Sequence, residues 1–363
     1  MILLTILCFT TQFIYGENIE VTPLNIQFNY EPGYANDALD ISDSNGDSII
    51  VPEWEDSSIP QNCAYIMGQS NRRIKVQFQS NYQGNMHLII NLTVFSGKGI
   101  GTICNFFVSN YDGWNPIELD LSGSLPNSVG KQTFTWKWDI YAIPTVISSY
   151  CAAASTPTYT THTYYTLLAA PQAPMEKPWS SILEKACVWA AGQSTDENVL
   201  NDLTTKLYTI SGLTYNKDQT HYFHDLNKNR FIFELHDFLY DWNDADCQDV
   251  SMFLSILSSS IGGSLTQTKR IEGFFETNII NPIGPVEWVT KLWHFHQVGW
   301  LDNVYDACIQ LNQASPYIPI NKDIELYKTD LFNERSIYTI WEPQNAFRLG
   351  ETDPYYNLPS IIL

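Results

Sequence analysis

The chain has 363 residues, 44% of them apolar and 14% aromatic, which is enough for a sizeable core and a length that points to two or three domains. Nineteen Lys and Arg stand against 39 Asp and Glu, a formal net charge of -20, so nucleic acid and an anionic membrane surface are both poor partners. Only 16% of residues are charged while Tyr, Phe and Trp abound, a balance that excludes disordered, fibrous and coiled-coil classes and favours a sheet-rich protein working outside the cytoplasm.

Residues 1–16, MILLTILCFTTQFIYG, carry no charged side chain and form an apolar run ending at Gly16, as a secretory signal peptide does. The expectation is cleavage there and a secreted, periplasmic or cell-surface chain; the alternative is a buried N-terminal strand, because the usual Lys or Arg is missing. No later stretch reaches the roughly 18 consecutive apolar residues of a spanning helix, so no membrane span is expected. Six cysteines remain after Cys8: Cys63, Cys104, Cys151, Cys187, Cys247 and Cys308. Their spacing assigns no disulfide pairs and leaves room for a working thiol.

Residues 17–171 read as an all-β sandwich. Ile74, Val76 and Phe78 alternate with Lys75, Gln77 and Gln79, and Phe134, Trp136, Trp138 and Ile140 alternate with Thr135, Lys137 and Asp139. Turns at Ser44-Asn45-Gly46, Gln83-Gly84-Asn85 and Asp112-Gly113 punctuate these runs. A last strand near 163–168 meets Pro171 and Pro174, which mark a linker and a boundary near residue 172. The sandwich is expected to own its core and to stand without the second half. Asp43-Ser44-Asn45-Gly46-Asp47 is a faint calcium loop that reads better as a solvated turn, so no metal or cofactor is expected.

Residues 172–363 read as α+β. Pro178 precedes a helical pattern of Ile182, Leu183, Ala186, Cys187, Trp189 and Ala190, and Leu200, Leu203, Leu207 and Tyr208 follow at helical spacing. A short helix is expected over 231–241, a buried one over 247–261 closed by Gly262-Gly263, and strands from 264 to about 310.

Chemistry concentrates after residue 240. Asp246 fits an N-cap and Asp249 the third-residue acid of a capping box, placing Cys247 in the first turn of a helix apolar all round. There the helix dipole favours thiolate and unpaired backbone N–H groups can cradle an oxyanion. Asp244, Asp246 and Asp249 work against the thiolate, so a cationic partner is required. It comes some fifty residues later, in an alternating stretch that reads as a β-hairpin. A loop centred on Leu301 sets His296 opposite Asp306, and a carboxylate fixes the tautomer a general base needs. His294, opposite Cys308 in that register, is the rival base, and a two-residue turn at Asp302-Asn303 would spoil the match. His294, His296, Asp306 and Cys308 also permit a zinc site, which leaves Cys247 unexplained. His221, His224 and His236 lie in polar or helical sequence and read as surface or core histidines.

Residues 246–262, an acidic-Cys segment running through Gln248-Asp249 to Gly262, together with Phe295-His296-Gln297-Val298 and Val304-Tyr305-Asp306-Ala307, resemble the transglutaminase-like superfamily of papain-type thiol enzymes over about 178–312. The resemblance implies Cys247 as nucleophile, His296 as base and Asp306 as orienting acid, within helices packed on an antiparallel sheet. Ala307-Cys308 departs from the Pro that often follows the Asp, and the side chain completing the oxyanion hole has three unranked candidates, Trp189, Gln193 and Trp242. The whole is then a two-domain chain, an immunoglobulin-like sandwich followed by a transglutaminase-like domain.

Two functions follow. The first is a secreted thiol acyl-transfer enzyme acting on protein or peptide amides, as peptidase, amidase or crosslinker. The second is a catalytically silent binding protein whose sandwich, with Trp54, Trp114, Trp136 and Trp138, takes a glycan or a protein; strand tryptophans more often fill cores.

Overall fold

A computed structural model describes residues 19–56, 61–145, 153–216, 222–225, 231–333, 337–341, 348–351 and 360–361. The expected signal segment 1–16, Cys151 and His221 lie outside the described residues. In the first half the strands are β1 (Val21–Gln27), β2 (Trp54–Glu55), β3 (Cys63–Ile66), β4 (Ser70–Ser80), β5 (Met86–Gly97), β6 (Ile103–Tyr111), β7 (Ile117–Ser124), β8 (Gly130–Pro144), β9 (Ala153–Ala154) and β10 (Thr158–Leu167). They form one sheet in the order β2-β1-β4-β7 and another in the order β3-β10-β8-β5-β6, antiparallel except where β10 runs parallel to β3.

The alternation read from the sequence is what lets these sheets face one another. Ile74, Val76 and Phe78 of the first and Trp136, Trp138 and Ile140 of the second are buried in one apolar cluster, while their even-odd neighbours point away. Trp136 and Trp138 are therefore core residues, as is Trp54; Trp114 alone of the four tryptophans considered for recognition is exposed, at 75%. The Asp43 turn closes on itself, its Oδ1 accepting from the backbone N–H of Asn45 and Asp47, so the side chain of the faint calcium loop is occupied by its own backbone.

The second half contains α1 (Ser180–Trp189), α2 (Asp196–Ile210), β11 (Thr214–Tyr215), β12 (Phe223–Asp225), β13 (Phe231–Phe233), α3 (Leu235–Asp241), β14 (Asp244–Ala245), α4 (Cys247–Ser260), β15 (Gln267–Glu276), β16 (Asn281–Pro282), β17 (Leu292–Leu301), β18 (Asn303–Tyr305), β19 (Ile309–Gln310), α5 (Ile324–Leu331), β20 (Ile337–Trp341), β21 (Arg348–Glu351) and β22 (Ser360–Ile361). Its main sheet has the order β18-β17-β15-β20 and is antiparallel. All fourteen residues of α4 are buried, between α1 and α2 on one side and β17 and β15 on the other. That accounts for a sequence apolar all round.

The two halves are more closely joined than a bare linker would make them. Ile41, Ala64, Val129, Tyr165 and Leu167 from the sandwich belong to the same buried cluster as Ile182, Leu183, Ala186 and Cys187 of α1. Across this seam Lys131 pairs with Glu184 at 2.7 Å, and the Tyr165 hydroxyl donates to the same carboxylate. The linker itself is bonded down, with Ala169 N–H on the Ile261 carbonyl and Gln172 N–H on that of Ser259. Among the described residues no helix is long and apolar enough to cross a membrane.

Candidate active site

Cys247 opens α4, where Asp246 caps the helix by accepting from the backbone N–H of Gln248 and Asp249, and Asp249 returns the bond to the N–H of Asp246. The capping box expected from the sequence is thus formed. Its formation changes one expectation, because two of the first-turn N–H groups that were to cradle an oxyanion are taken by the Asp246 carboxylate. Of that turn, only the N–H of Cys247 itself lies ahead of the groups used by the cap and the first helical bond.

Cys247 is 3% exposed. Burial first, and the Asp246 carboxylate next, hold it well above the usual cysteine range; a hydrogen bond from the Gln297 backbone opposes them, Asp306 adds to the rise, and Arg270 opposes it. The Gln297 contact ties the start of α4 to β17, one residue from His296.

His296 and Asp306 meet. His296 Nε2 lies 2.9 Å from Asp306 Oδ2, both side chains being essentially inaccessible to solvent. The hairpin that brings them together differs from the expected one: Leu301 pairs with Asn303 and Gly299 with Tyr305, so the turn is centred on Asp302 rather than Leu301. Asp302 supplies the left-handed residue, φ 57°, that such a tight reversal demands. In this register Asp306 falls past the end of β18, where its N–H bonds the Pro319 carbonyl, and its side chain reaches His296 diagonally rather than from directly opposite.

His294 is not a rival. It is exposed and packs edge-on against Phe274, with ring centroids 5.3 Å apart. Where the pairing of β17 with β15 shifts register, between Phe295–Glu272 and Trp293–Phe275, the buried residues of β17 fall three apart, at Trp293 and His296, so His294 and His296 do not share a face. In its place Trp293 is turned inward, stacked on His296 at 4.5 Å and 15°. The zinc alternative loses His294 by the same rotation, and no cluster of three or more His, Cys, Asp or Glu is arranged for a metal among the described residues.

The acceptor role of the carboxylate decides the tautomer. With Nε2–H given to Asp306, the lone pair sits on Nδ1, which is buried and has no hydrogen-bond partner. That atom is a base without an assigned proton, facing the interior where Cys247 is also buried. The Trp293 indole N–H, stacked beside it, is a buried donor that also has no partner. Interiors leave few such groups unpaired, and a role in chemistry is one reason for them.

Of the oxyanion candidates, Trp242 gives its indole N–H to the Ser211 carbonyl at 2.7 Å and Gln193 gives its amide to Asp202 at 2.7 Å, so both are committed elsewhere. Trp189 ends α1 and packs, half-buried, against the apolar cluster that joins the two halves. Two tyrosines missed in the sequence belong here instead. Tyr215 of β11 is raised in pKa by burial and then by the neighbouring Cys247 and Cys308, and its ring lies 6.3 Å from that of Trp293. Tyr327 of α5 donates to Asp306 Oδ2 at 2.7 Å, while the Cys308 backbone N–H donates to Oδ1 at 2.8 Å. Tyr327 lies beyond the stretch that carries the resemblance, and nothing local in its sequence marks it. The chain matches no protein-family model and no curated protein.

Proposed function

We propose that this chain is a transglutaminase-like thiol acyl-transfer enzyme, with Cys247 as nucleophile, His296 as base and Asp306 as orienting acid. The carrying observation is the His296 Nε2–Asp306 bond at 2.9 Å, which leaves a bare Nδ1 within the same buried interior as a thiol at a helix start. In the reaction this supports, Nδ1 takes the Cys247 proton and the sulfur attacks an amide carbonyl of a protein or peptide. The C–N bond breaks as Nδ1 returns the proton to the leaving amine. An incoming amine or water then gives its proton to Nδ1, attacks the thioester and releases the thiol. On this reading the first half is an immunoglobulin-like sandwich, and the uncharged apolar start directs the chain out of the cytoplasm.

The test is Cys247→Ala. Amine incorporation into a protein acceptor and hydrolysis of a small acyl donor should both vanish, while thermal unfolding shifts by no more than the loss of one small buried side chain requires, about 1 kcal/mol. Retained turnover in this variant would remove Cys247 as the nucleophile.

One observation favours the second reading, the silent binding protein: the thiol is buried, held in its neutral form, and not hydrogen-bonded to His296. On that reading recognition falls to the outer face of the larger sheet, where exposed Phe95 packs on Tyr159 and exposed Phe107 stacks on His87. The two readings part at Cys247 itself, since a neutral electrophile labels a working thiol and not an inert one.

A further inference from the structure

Asp306 gathers three donors from three parts of the chain: the His296 imidazole of β17, the Cys308 backbone, and the phenol of Tyr327 in α5. Both carboxylate oxygens are thereby pinned, Oδ1 by Cys308 and Oδ2 by His296 and Tyr327 together. We propose that Tyr327 is a positioning residue of this site, its hydroxyl sharing Asp306 Oδ2 with His296 and so fixing the carboxylate that sets the imidazole tautomer and the aim of Nδ1. The inference rests on the reading of Cys247, His296 and Asp306 as the reacting set.

The segment that delivers the phenol is built for precision. Val304 and Lys322 exchange backbone bonds, Asp306 N–H holds the Pro319 carbonyl, and Asp323 caps α5 through the N–H groups of Glu325 and Leu326. The same loop therefore clamps Asp306 by its backbone and by its side chain. Tyr327, His296 and Asp306 are all at most 1% exposed, so water does not compete for the carboxylate. Cys247 of α4, Tyr208 of α2, Tyr215 of β11 and Cys308 also lie within electrostatic reach of this carboxylate, while Asp246 and Asp249 at the start of α4 and Arg270 of β15 act on the thiols of Cys247 or Cys308.

A tyrosine present only for packing would be replaced by phenylalanine without consequence for the imidazole. A donor that shares Oδ2 would not. The experiment follows the His296 Nε2–H proton by NMR in the full chain carrying ¹⁵N-histidine. Tyr327→Phe returns the whole of Oδ2 to His296, and the resonance moves downfield; 3-fluorotyrosine at position 327, a stronger donor, moves it upfield. An unmoved resonance in either folded protein overturns the proposal, and the fluorinated protein decides alone if the phenylalanine variant does not fold. In parallel, iodoacetamide alkylation of the Cys247 peptide, read by mass spectrometry, should slow in Tyr327→Phe. Absence of alkylation in the unaltered protein would instead defeat the thiol-enzyme reading, while the resonance still reports whether Tyr327 holds Asp306.

Discussion

At the scale of single residues, the site turns on which nitrogen of which histidine is free. His296 has its Nε2 committed to Asp306 and its Nδ1 open, whereas His294 lies at the surface against Phe274. His296→Ala is therefore expected to remove amine incorporation and hydrolysis, and His294→Ala to leave both near the unaltered level; equal losses in the two would mean that the exposed imidazole participates. His162, in the sandwich, is a histidine of another kind. It is enclosed by Phe28, Phe134 and Trp136, its Nε2 sits 2.8 Å from Thr160 Oγ1, and burial lowers its pKa to about 3. The unfolded chain takes up this proton near pH 6.5 and the folded chain does not, so stability falls as pH drops from about 6.5 to 3, by about 1.4 kcal/mol per pH unit. Denaturant unfolding at about pH 6 and about pH 4 should show a loss larger by about 2 to 3 kcal/mol in the unaltered chain than in His162→Leu. Equal losses would show that His162 is not held neutral.

Among the elements, α4 does two jobs that conflict. Its buried apolar face anchors the second half, and its N-cap stabilises the helix while setting an acidic group beside the thiol. Asp246→Ser separates these roles, since serine caps about as well as aspartate but carries no charge. Its Cys247 should alkylate faster at neutral pH, with the whole rate profile moved to lower pH, because the second largest cause raising the thiol has been removed. A profile that stays in place would show that the Asp246 charge does not act on the sulfur. The far end of α4 is as tightly specified. Gly262 has φ 75°, and a Cβ there would come within 2.5 Å of the Ala169 backbone, so only glycine lets the linker lie against the helix end.

For the whole molecule, the seam between halves matters more than the change of hydrophobic period suggests. The sandwich keeps a core of its own around Phe78, Trp136 and Trp138, and residues 17–171 are expected to fold alone. Residues 172–363 are not, because α1 seats Ile182, Ala186 and Cys187 against Ala64, Val129, Tyr165 and Leu167, and the fragment would expose that face to water. Circular dichroism with thermal unfolding of the two fragments checks this; a cooperative transition in 172–363 would show that the shared cluster is dispensable.

Strand alternation at 74–78 and 134–140, the helix start at Asp246-Cys247 and the glycine stop at 262 were legible in the sequence because each is a local signal: side-chain period, cap chemistry and backbone freedom act within a few residues. The pairing of His296 with Asp306 was legible too, though for a register that the protein does not use. A single left-handed residue at Asp302 moved the turn, and Asp306 reached the imidazole from beyond the strand end. Whether His294 or Trp293 faces inward was decided where the pairing of β17 with β15 shifts register, an irregularity that side-chain periodicity does not announce. Tyr327 contacts Asp306 from 21 positions away, across a loop, and the seating of α1 on Tyr165 and Leu167 joins segments on either side of the linker. Such contacts carry no periodicity and no spacing rule. They arise when apolar faces close on one another, and that closure, rather than any local preference, set which buried polar atoms are shared and which are left free.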